Sequence, residues 1–411
     1  MALAVLKPRR MKVLVLNCGS SSLKFQVIET GAEQVLARGH VERIGAADAR
    51  ISFLVSGGEE KRETRSIPDH KEAIAAAFAF LESQTKVIGA LEEIEGAGHR
   101  IVHGGDRFEE SVLITPDVLR EIEAVSHLAP LHNPPNLKGY YASVALLPRA
   151  RQVAVFDTAF HQTLPARAFL YGVPYEYYTR DKLRRYGFHG TSHRYVSARY
   201  AQIRGTGDRK LITCHLGNGC SMCAVREGKS IDTSMGFTPM EGLVMGTRTG
   251  DIDPGAVLYL LDQRKAGQDE LHDLLNTRAG LSGISGISGD MRDLLDAAAK
   301  GNERAALAID VFCYRVIKYA GAYHAALEGA DALVFAGGIG ENSPEIRSRV
   351  CQGLKALGLK IDATRNDAIR GTEGRISPDD SSVEAWVIPT NEELLIARDT
   401  VRLIEAGRPA A

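Results

Sequence analysis

The chain of 411 residues is long enough for two domains of ordinary size. Its 44% hydrophobic and 25% charged residues are typical of a globular protein, and the formal net charge of -1 argues against a nucleic-acid-binding protein. No apolar run approaches the roughly eighteen residues that cross a membrane, and six cysteines in this length favour a reducing cytoplasm over a disulfide framework.

The first elements predict a phosphate-binding hairpin. Residues 1–10 carry their charges after an apolar stretch, the reverse of a secretory signal, so we expect a short extension before the first strand. Residues 13–28 predict two strands joined by a turn of small and polar residues over 17–22. Such a turn exposes N–H groups that bind anions, while Asn17 offers an oxygen to a hard cation and Lys24 a charge to a phosphate. An ordinary surface hairpin is the alternative.

Helices alternate with the strands and predict an α/β architecture. The predicted helices span residues 71–84, 116–126, 254–263, 303–328 and 394–405. Thr115 and Asp253, each followed by proline, are predicted caps. The helix over 303–328 is so apolar that we expect burial on more than one side, against its own domain or a partner subunit.

The hairpin pattern recurs in the second half of the chain. Residues 211–225 repeat the layout of strand, Gly/Asn/Ser turn and strand, roughly two hundred residues after the first copy, which favours duplication of a whole α/β domain over a short repeat. Residues 332–342 form a third glycine-rich element, with Ser343 as a helix cap and Pro344 at the first helical position. No P-loop or Rossmann motif is present.

Two short spacings resemble metal or redox motifs, but each departs from the pattern that such a site requires. His189 and His193 have metal-like spacing, but glycine weakens the helix between them and the glutamate of a zinc protease motif is missing. Cys220 and Cys223 lie in a predicted strand, where residues three apart point to opposite faces. Structural roles are the favoured alternatives for all four.

Two arginines lie beside glycine-rich segments. Arg100 is within residues 99–105, where a surface salt bridge is the alternative to a functional role. Arg248 is on a long loop over residues 240–251, and loops of that length inside a compact domain are usually functional. Arginine is suited to bidentate recognition of a carboxylate or a phosphate.

Taken together, these motifs closely resemble the acetate kinases, a family in the superfamily of sugar kinases, chaperone-type ATPases and actin. The resemblance rests on residues 17–24, 99–105, 188–193, 215–219, 232–239, 246–248, 337–342 and 389–393. It covers nearly the whole chain from residue 11. The departures are the N-terminal extension, the two cysteines in the second hairpin and a short tail at residues 407–409.

The resemblance implies an α/β fold of two domains with duplicated RNase H-like cores and an interdomain active-site cleft. Residues 11–157 with 389–411 would form the domain for the acyl substrate and phosphate, including a returning C-terminal helix. Residues 158–388 would form the nucleotide-binding and dimerisation domain. A cytoplasmic homodimer is implied, with no nucleic acid and no membrane as partner.

The implied reaction is reversible transfer of the ATP γ-phosphoryl group to acetate, giving acetyl phosphate and ADP. Arg100 and Arg248 would hold the carboxylate and the phosphoryl group, with His189 and Arg248 stabilising the transition state. Asn17 and Glu392 would hold Mg²⁺, with Mn²⁺ as an alternative. The residues implied to contact the nucleotide are Lys24, His215, Leu216, Gly217, Asn218, Gly219, Asp290, Met291, Arg292, Gly338, Ile339, Gly340, Glu341 and Asn342.

The implied pocket for the methyl group of acetate consists of Val102, Leu131, Phe188 and Pro239. The family also implies Asp157 as catalytic acid or base. Acetate, however, is already ionised at pH 7 and needs no base, so we expect Asp157 to organise Mg²⁺ or its waters. A propionate or other short-chain acyl kinase is the nearest alternative function, and a chaperone-type ATPase is a more distant one.

Overall fold

The computed structural model describes residues 10–265 and 267–407. Its strands are β1 Lys12–Cys18, β2 Ser22–Glu29, β3 Gln34–Glu42, β4 Ala49–Val55, β5 Lys61–Arg65, β6 Ile94–Ile101, β7 Val112–Leu113, β8 Arg151–Phe156, β9 Lys210–Leu216, β10 Cys220–Arg226, β11 Lys229–Thr233, β12 Ala332–Ala336, β13 Gly374–Arg375 and β14 Glu384–Val387. The remaining parts of the predicted N-terminal extension and C-terminal tail lie outside the described residues.

The helices vary from single turns to one of 24 residues. They are α1 His70–Glu82, α2 Thr85–Ile88, α3 Pro116–Ala124, α4 Asn133–Leu146, α5 Ala166–Phe169, α6 Tyr175–Asp181, α7 Gly190–Arg204, α8 Pro254–Gln263, α9 Gln268–Asp273, α10 Gly280–Ser285, α11 Met291–Ala299, α12 Glu303–Ala326, α13 Gly337–Asn342, α14 Pro344–Gly353, α15 Ala363–Ala368 and α16 Glu392–Ala406. Further single helical turns are Leu91–Glu93, Ser126–Leu128, Ala159–Thr163, Leu274–Arg278 and Lys355–Leu357.

The chain forms two compact units. Unit 1 comprises the residues up to Ala159 and those from Asn391 onward, and unit 2 comprises Phe160–Thr390. The sheet of unit 1 has the order β5-β4-β3-β2-β1-β6-β8-β7, and that of unit 2 has the order β11-β10-β9-β12-β14-β13. Both sheets contain a three-strand antiparallel meander followed by two parallel strands. The α/β prediction is confirmed, and the repeated order agrees with a duplicated core.

Local sequence signals place most element ends. The helix α8 begins at the predicted proline, and the carboxylate of Asp253 accepts a hydrogen bond of 3.0 Å from the N–H of Gly255. The helix α1 begins one residue before the prediction because Asp69 caps it, accepting from Glu72 at 2.9 Å. The predicted turn over residues 17–22 is too long, since β1 runs to Cys18 and β2 starts at Ser22.

The final helix packs on the sheet of unit 1 across two glycines of β6. A Cβ atom added to Gly98 would lie 2.4 Å from Cγ2 of Ile396 and 2.6 Å from Oγ1 of Thr400. Only a residue without a side chain therefore permits this close approach of α16.

Among the described residues, no single helix has the length and apolar composition to cross a membrane, although the bent pair His70–Glu82 and Lys86–Glu93 meets both criteria as a combination.

Candidate active site

Asn17 and Lys24 lie directly opposite each other on β1 and β2. Residues that face each other across antiparallel strands project to the same side of the sheet, so these two side chains share one face. Asn17 is half-buried and Lys24 is exposed. The turn that follows Asn17 is fixed by His70, whose Nε2 atom lies 2.6 Å from the carbonyl oxygen of Gly19. The hairpin therefore presents an amide oxygen and an ammonium group together.

Arg100, near the end of β6, forms a bidentate ion pair with Asp157, which follows β8. Nε of Arg100 donates to Oδ1 at 2.9 Å, and Nη2 donates to Oδ2 at 2.5 Å. The Asp157 side chain is 1% exposed and that of Arg100 is 21% exposed, so this is not the surface salt bridge of the alternative interpretation. Burial lowers the pKa of Arg100, but the charge and hydrogen bonds of Asp157, together with the charges of Glu392 and Glu393, raise it overall. The guanidinium therefore stays charged.

Asn17 and Glu392 offer oxygen donors of the kind that Mg²⁺ prefers. Oδ1 of Asn17 accepts a 3.4 Å hydrogen bond from Nη1 of Arg100, and Glu392, the first residue of α16, adds negative charge near the same arginine. Among the described residues, no group of three or more His, Cys, Asp or Glu is arranged to hold a metal ion. A Mg²⁺ ion held by these two residues would therefore need further ligands from water and substrate phosphates, the usual arrangement for this ion.

His189 is held in place at the start of α7. It has a φ of 56°, a left-handed conformation that is uncommon outside glycine. Its Nδ1 lies 2.9 Å from Oγ of Ser221, and Nε2 of His193 lies 2.7 Å from the same oxygen. The rings of His189 and His215 stack with their centroids 4.2 Å apart. The two histidines of the metal-like spacing therefore share a serine hydroxyl group.

The cysteines of β10 are structural. Sγ of Cys220 donates to the carbonyl oxygen of Gly217 at 3.1 Å, and Sγ of Cys223 lies 3.2 Å from Oγ of Ser230. Burial raises the pKa of both thiols, that of Cys220 to about 12. Since the thiolate is the reactive and metal-binding form, the pair is unsuited to redox or zinc chemistry.

We expect four buried histidines, His99, His103, His161 and His193, to make the free energy of unfolding depend on pH. Burial lowers the pKa of His99 and His161 to about 4 and that of His103 to about 3, and it lowers the pKa of His193 well below its ordinary value. Unfolded histidines titrate near pH 6.5, so below about that pH the unfolded state binds protons that the folded state does not. We expect each group to remove about 1.4 kcal/mol of unfolding free energy per pH unit there.

Urea unfolding between about pH 7 and pH 5 checks this expectation. The exposed His272, replaced by glutamine, is the control and should leave the slope unchanged. A stability that stayed constant over that interval would contradict the buried, neutral state of these histidines.

Arg248 lies on the loop between β11 and α8. Its Nη1 donates to the carbonyl oxygen of Pro239 at 3.2 Å. A Cβ atom added to Gly219, in the β9–β10 turn, would lie 3.7 Å from Nη1 of Arg248 and 3.3 Å from Cε1 of His189. The structure therefore brings two of the predicted catalytic residues together beside one glycine. A guanidinium and an imidazole so placed suit a group on which negative charge develops.

The loop that carries Arg248 is anchored at both ends by contacts that the sequence does not reveal. Near its start, Glu241 forms an ion pair with Arg185. At its end, the carboxylate of Asp251 accepts from the hydroxyl of Tyr319 at 2.9 Å. Both partners are more than fifty positions away along the chain, so no local spacing could have indicated them.

A cavity of about 1390 Å³ lies beside the β9–β10 turn in unit 2. Eight of the predicted nucleotide residues line it: Gly217, Asn218, Asp290, Met291, Arg292, Gly338, Ile339 and Asn342. Ordinary ligand pockets have volumes of roughly 300 to 1,000 Å³, so this one has room for a nucleotide. The structure thus assembles one cavity from three glycine-containing segments that are far apart in the sequence.

The other predicted nucleotide residues do not line this cavity. They are Lys24, His215, Leu216, Gly219, Gly340 and Glu341. Lys24 belongs to unit 1. Leu216 is fully buried, and Nδ1 of His215 lies 2.8 Å from Oγ of Ser192. The Ser192 contact therefore holds the His215 side chain near the end of β9, which leads into the β9–β10 turn.

The sequence does not reveal the cavity wall formed by α14 and α15. This wall includes Ser348, Arg349, Gln352, Ala363, Asn366, Asp367 and Arg370. Behind it, the fully buried Arg347 donates to the carbonyl oxygens of Asn366 at 2.8 Å and Ile369 at 2.7 Å. These helices carry no motif, because their role depends on tertiary packing.

The predicted methyl pocket draws on both units. Val102 and Leu131 belong to unit 1, and Phe188 and Pro239 belong to unit 2. Val102 and Phe188 are buried, whereas Leu131 is 53% exposed. The backbone N–H of Val102 donates to Oδ1 of Asn136 at 3.0 Å, which fixes its position. The pocket itself stays a prediction.

Comparisons with known proteins point to one family. The model described as the acetokinase family matches residues 12–398. An acetate kinase from Thermotoga maritima is 53% identical over 400 residues, which cover 96% of this chain and 99% of that protein. The crystal structure of an acetate kinase from Porphyromonas gingivalis matches with a TM-score of 0.91 and 45% sequence identity. That of a propionate kinase from Francisella tularensis matches with a TM-score of 0.91 and 43% identity. Each match covers 96% of this chain and 100% of the other chain.

Proposed function

The chain belongs to the acetokinase family, and we propose that it transfers the γ-phosphoryl group of ATP reversibly to acetate, giving acetyl phosphate and ADP. The observation that carries the proposal is the placement of Arg248 and His189 beside Gly219, next to a cavity of nucleotide size. A second charged arginine, Arg100, is held by Asp157 in unit 1.

The chemistry of the reactants explains why cations are needed. Acetate is ionised at pH 7, so it is a nucleophile without help from a base. Acetate and the γ-phosphate are both anions, and their approach is unfavourable until positive charge intervenes. Phosphoryl transfer depends almost entirely on positioning and charge stabilisation. Arg100 and Arg248 would hold the carboxylate and the phosphoryl group, and His189 would stabilise the charge that develops.

We assign Asp157 a positioning role. Both of its carboxylate oxygens accept from Arg100, and a bidentate pair fixes the orientation of a guanidinium. A role in organising Mg²⁺ or its waters stays a prediction. Proton transfer has the least support, because acetate has no proton to lose at pH 7.

The metal and the nucleotide complete the proposed site. Asn17 and Glu392 would hold Mg²⁺, or Mn²⁺ as an alternative, and the ion would neutralise phosphate charge when bound. Lys24, opposite Asn17 on the hairpin, would add a point charge for the phosphates. The cavity in unit 2 would take the adenine nucleotide.

A second candidate is a propionate kinase, since the Francisella tularensis propionate kinase matches this fold with the same TM-score as the Porphyromonas gingivalis enzyme. One methylene in a small apolar pocket changes kcat/KM by about 10- to 200-fold. We expect propionate to be a poor but measurable substrate and butyrate to be nearly inactive. Hydroxamate formation from each acyl phosphate measures this, and a preference for propionate would select the second candidate.

Val102 tests the methyl pocket. Val102→Ala removes two methyl groups from a buried position. It should lower the ratio of kcat/KM for acetate to that for propionate by about tenfold, the effect that one methylene group has on kcat/KM. Val55→Ala, in strand β4 of the same unit, is the control and should leave the ratio unchanged. An unchanged ratio in Val102→Ala would remove Val102 from the pocket.

We propose that the chain forms a homodimer through α8 and α12. No residue of α8 is buried within the described chain, and Leu258 and Tyr259 are both 59% exposed. The helix α12 buries one side but leaves Leu307 and Tyr314 exposed. Association of two copies would remove these apolar surfaces from water.

Light scattering should give a particle mass near twice the chain mass of 44.5 kDa. The double variant Leu307→Glu with Tyr314→Glu should shift the mass to that of a monomer, because burying unpaired carboxylates is costly. Tyr141→Glu, an exposed residue of unit 1, is the control and should leave the mass unchanged. A monomeric unmodified chain would contradict the proposal.

The cysteines support a cytoplasmic location. All six are free and buried. Disulfides form and persist in oxidising compartments, whereas unpaired thiols are the rule in the reducing cytoplasm. We therefore propose that the enzyme works there.

A further inference from the structure

Glu341 lies on α13 between residues that line the nucleotide cavity, but its carboxylate is engaged elsewhere. Oε1 of Glu341 accepts a 2.7 Å hydrogen bond from the N–H of Gly337 and a 3.0 Å hydrogen bond from the N–H of Thr390. Glu341 does not line the cavity, although Gly338, Ile339 and Asn342 of the same helix do. One oxygen atom therefore joins the glycine-rich turn to a distant segment.

That segment is the place where the chain leaves unit 2. Thr390 is the last residue of unit 2, and Asn391 begins the returning part of unit 1. The side chain of Asn391 caps α16 by accepting from Leu394 at 3.0 Å, and Glu392 is the first residue of that helix. We call Pro389–Asn391 the crossing segment. Its attachment to α13 therefore lies one residue before the cap of the helix that carries Glu392.

The geometry of the turn directs the Gly337 amide to Glu341. Gly337 has a φ of +74°, and a Cβ atom there would lie 2.7 Å from the carbonyl oxygen of Leu216. Glycine is thus required, and its N–H is occupied by the carboxylate. A carboxylate beside bound phosphates would repel them, which argues against direct contact of Glu341 with the phosphate chain.

The same short helix is held from its other end. Nη1 of the fully buried Arg347 donates to the carbonyl oxygens of Gly340 at 2.9 Å and of Glu341 at 3.0 Å. With its backbone fixed at the C-terminal end by Arg347 and at the N-terminal end by the Glu341 carboxylate, α13 should shift as one piece. A shift caused by a ligand would then reach Thr390 directly.

We propose that Glu341 is a positioning residue that couples the glycine-rich turn of the nucleotide site to the crossing segment. Nucleotide binding would thereby order the segment that leads to Glu392. The inference rests on the proposed function in one respect, the binding of nucleotide in the unit 2 cavity. Hydrogen bonds from N–H groups to a charged oxygen are stronger than neutral ones, so two of them make an effective link.

Hydrogen exchange on the full chain, with and without ADP, tests the coupling. In a peptide covering residues 289–292 at the cavity wall, ADP should slow hydrogen exchange by about tenfold. This is the change in rate that one or two additional hydrogen bonds would produce. ADP should have the same effect in a peptide covering residues 388–394. In Glu341→Ala the response at the wall should remain, and the response at the crossing segment should be lost.

Two further variants separate coupling from damage to the fold. Glu341→Gln keeps an acceptor oxygen and should restore most of the response at the crossing segment. Glu373→Ala removes an exposed carboxylate of unit 2 that pairs with Arg199, and it should behave as the unmodified enzyme does. In steady-state kinetics, Glu341→Ala should raise the KM for ATP by about tenfold and leave the KM for acetate unchanged. The tenfold change corresponds to the loss of one or two hydrogen bonds.

The outcomes distinguish the coupling from the proposed function. A response at both peptides in Glu341→Ala, or at neither, would overturn the coupling. Protection at the wall alone in the unmodified enzyme would also overturn it while leaving the nucleotide site intact. If ADP protected neither peptide in the unmodified enzyme, the nucleotide site would fail, and the coupling with it.

Discussion

Replacing Arg248 by alanine is expected to lower kcat/KM for acetyl phosphate formation by about 10³- to 10⁵-fold, the effect of an arginine that acts on a transferring phosphoryl group. The guanidinium lies beside Gly219, across from His189, so its loss leaves the developing charge with one stabilising group fewer. Arg248→Lys should recover only part of the activity, because lysine keeps the charge but loses the bidentate geometry. Initial rates of hydroxamate formation at saturating ATP measure the effect.

The matched control is Arg180→Ala, which removes an arginine of unit 2 that is 68% exposed and pairs with Asp181. Exposed pairs of this kind contribute little to stability, so the activity of this variant should be unchanged. Calorimetry should show that Arg248→Ala still binds ADP, which separates loss of catalysis from loss of fold. Near-normal turnover in Arg248→Ala would place Arg248 outside the site.

Replacing Arg100 by alanine is the second change with a large expected effect. We expect kcat/KM to fall by about 10³-fold or more. Stability should fall as well, because Asp157 is 1% exposed and removing one partner of a buried pair costs about 3 to 5 kcal/mol. Hydroxamate rates and urea unfolding on the same preparation measure both quantities.

The double variant Arg100→Ala with Asp157→Asn tests how the pair acts. If Asp157 works by positioning Arg100, adding Asp157→Asn to Arg100→Ala should cost no further activity and should recover part of the stability. Asp157→Asn alone should keep both limbs of the pH–rate profile, since no proton is moved. A lost limb, together with additive losses of activity, would show instead that Asp157 transfers a proton.

Features that depend on neighbouring residues were predictable from the sequence. The helix α8 begins where Asp253 and Pro254 predicted, because a cap and a proline act within one turn. The two hairpins followed from apolar runs bounded by turn residues. The duplicated architecture followed from the recurrence of that pattern, since each hairpin supplies the first two strands, in chain order, of the sheet in its own unit.

Features that depend on packing between distant segments were not predictable. Arg100 and Asp157 are 57 positions apart, and only the parallel pairing of β6 with β8 brings them together. The cavity wall on α14 and α15 carries no motif, because ordinary amphipathic helices provide it. The hydrogen bond between Glu341 and Thr390 joins residues 49 positions apart along the chain, which no local pattern encodes.

Phosphorus NMR of a reaction that contains ATP, acetate and Mg²⁺ tests the central claim most directly. For an acetate kinase, one acetyl phosphate should form for each ADP, with no inorganic phosphate from the transfer, and ADP should not accumulate when acetate is left out. Equal amounts of ADP and inorganic phosphate, formed whether or not acetate is present, would identify a nucleotide-hydrolysing ATPase and contradict the claim.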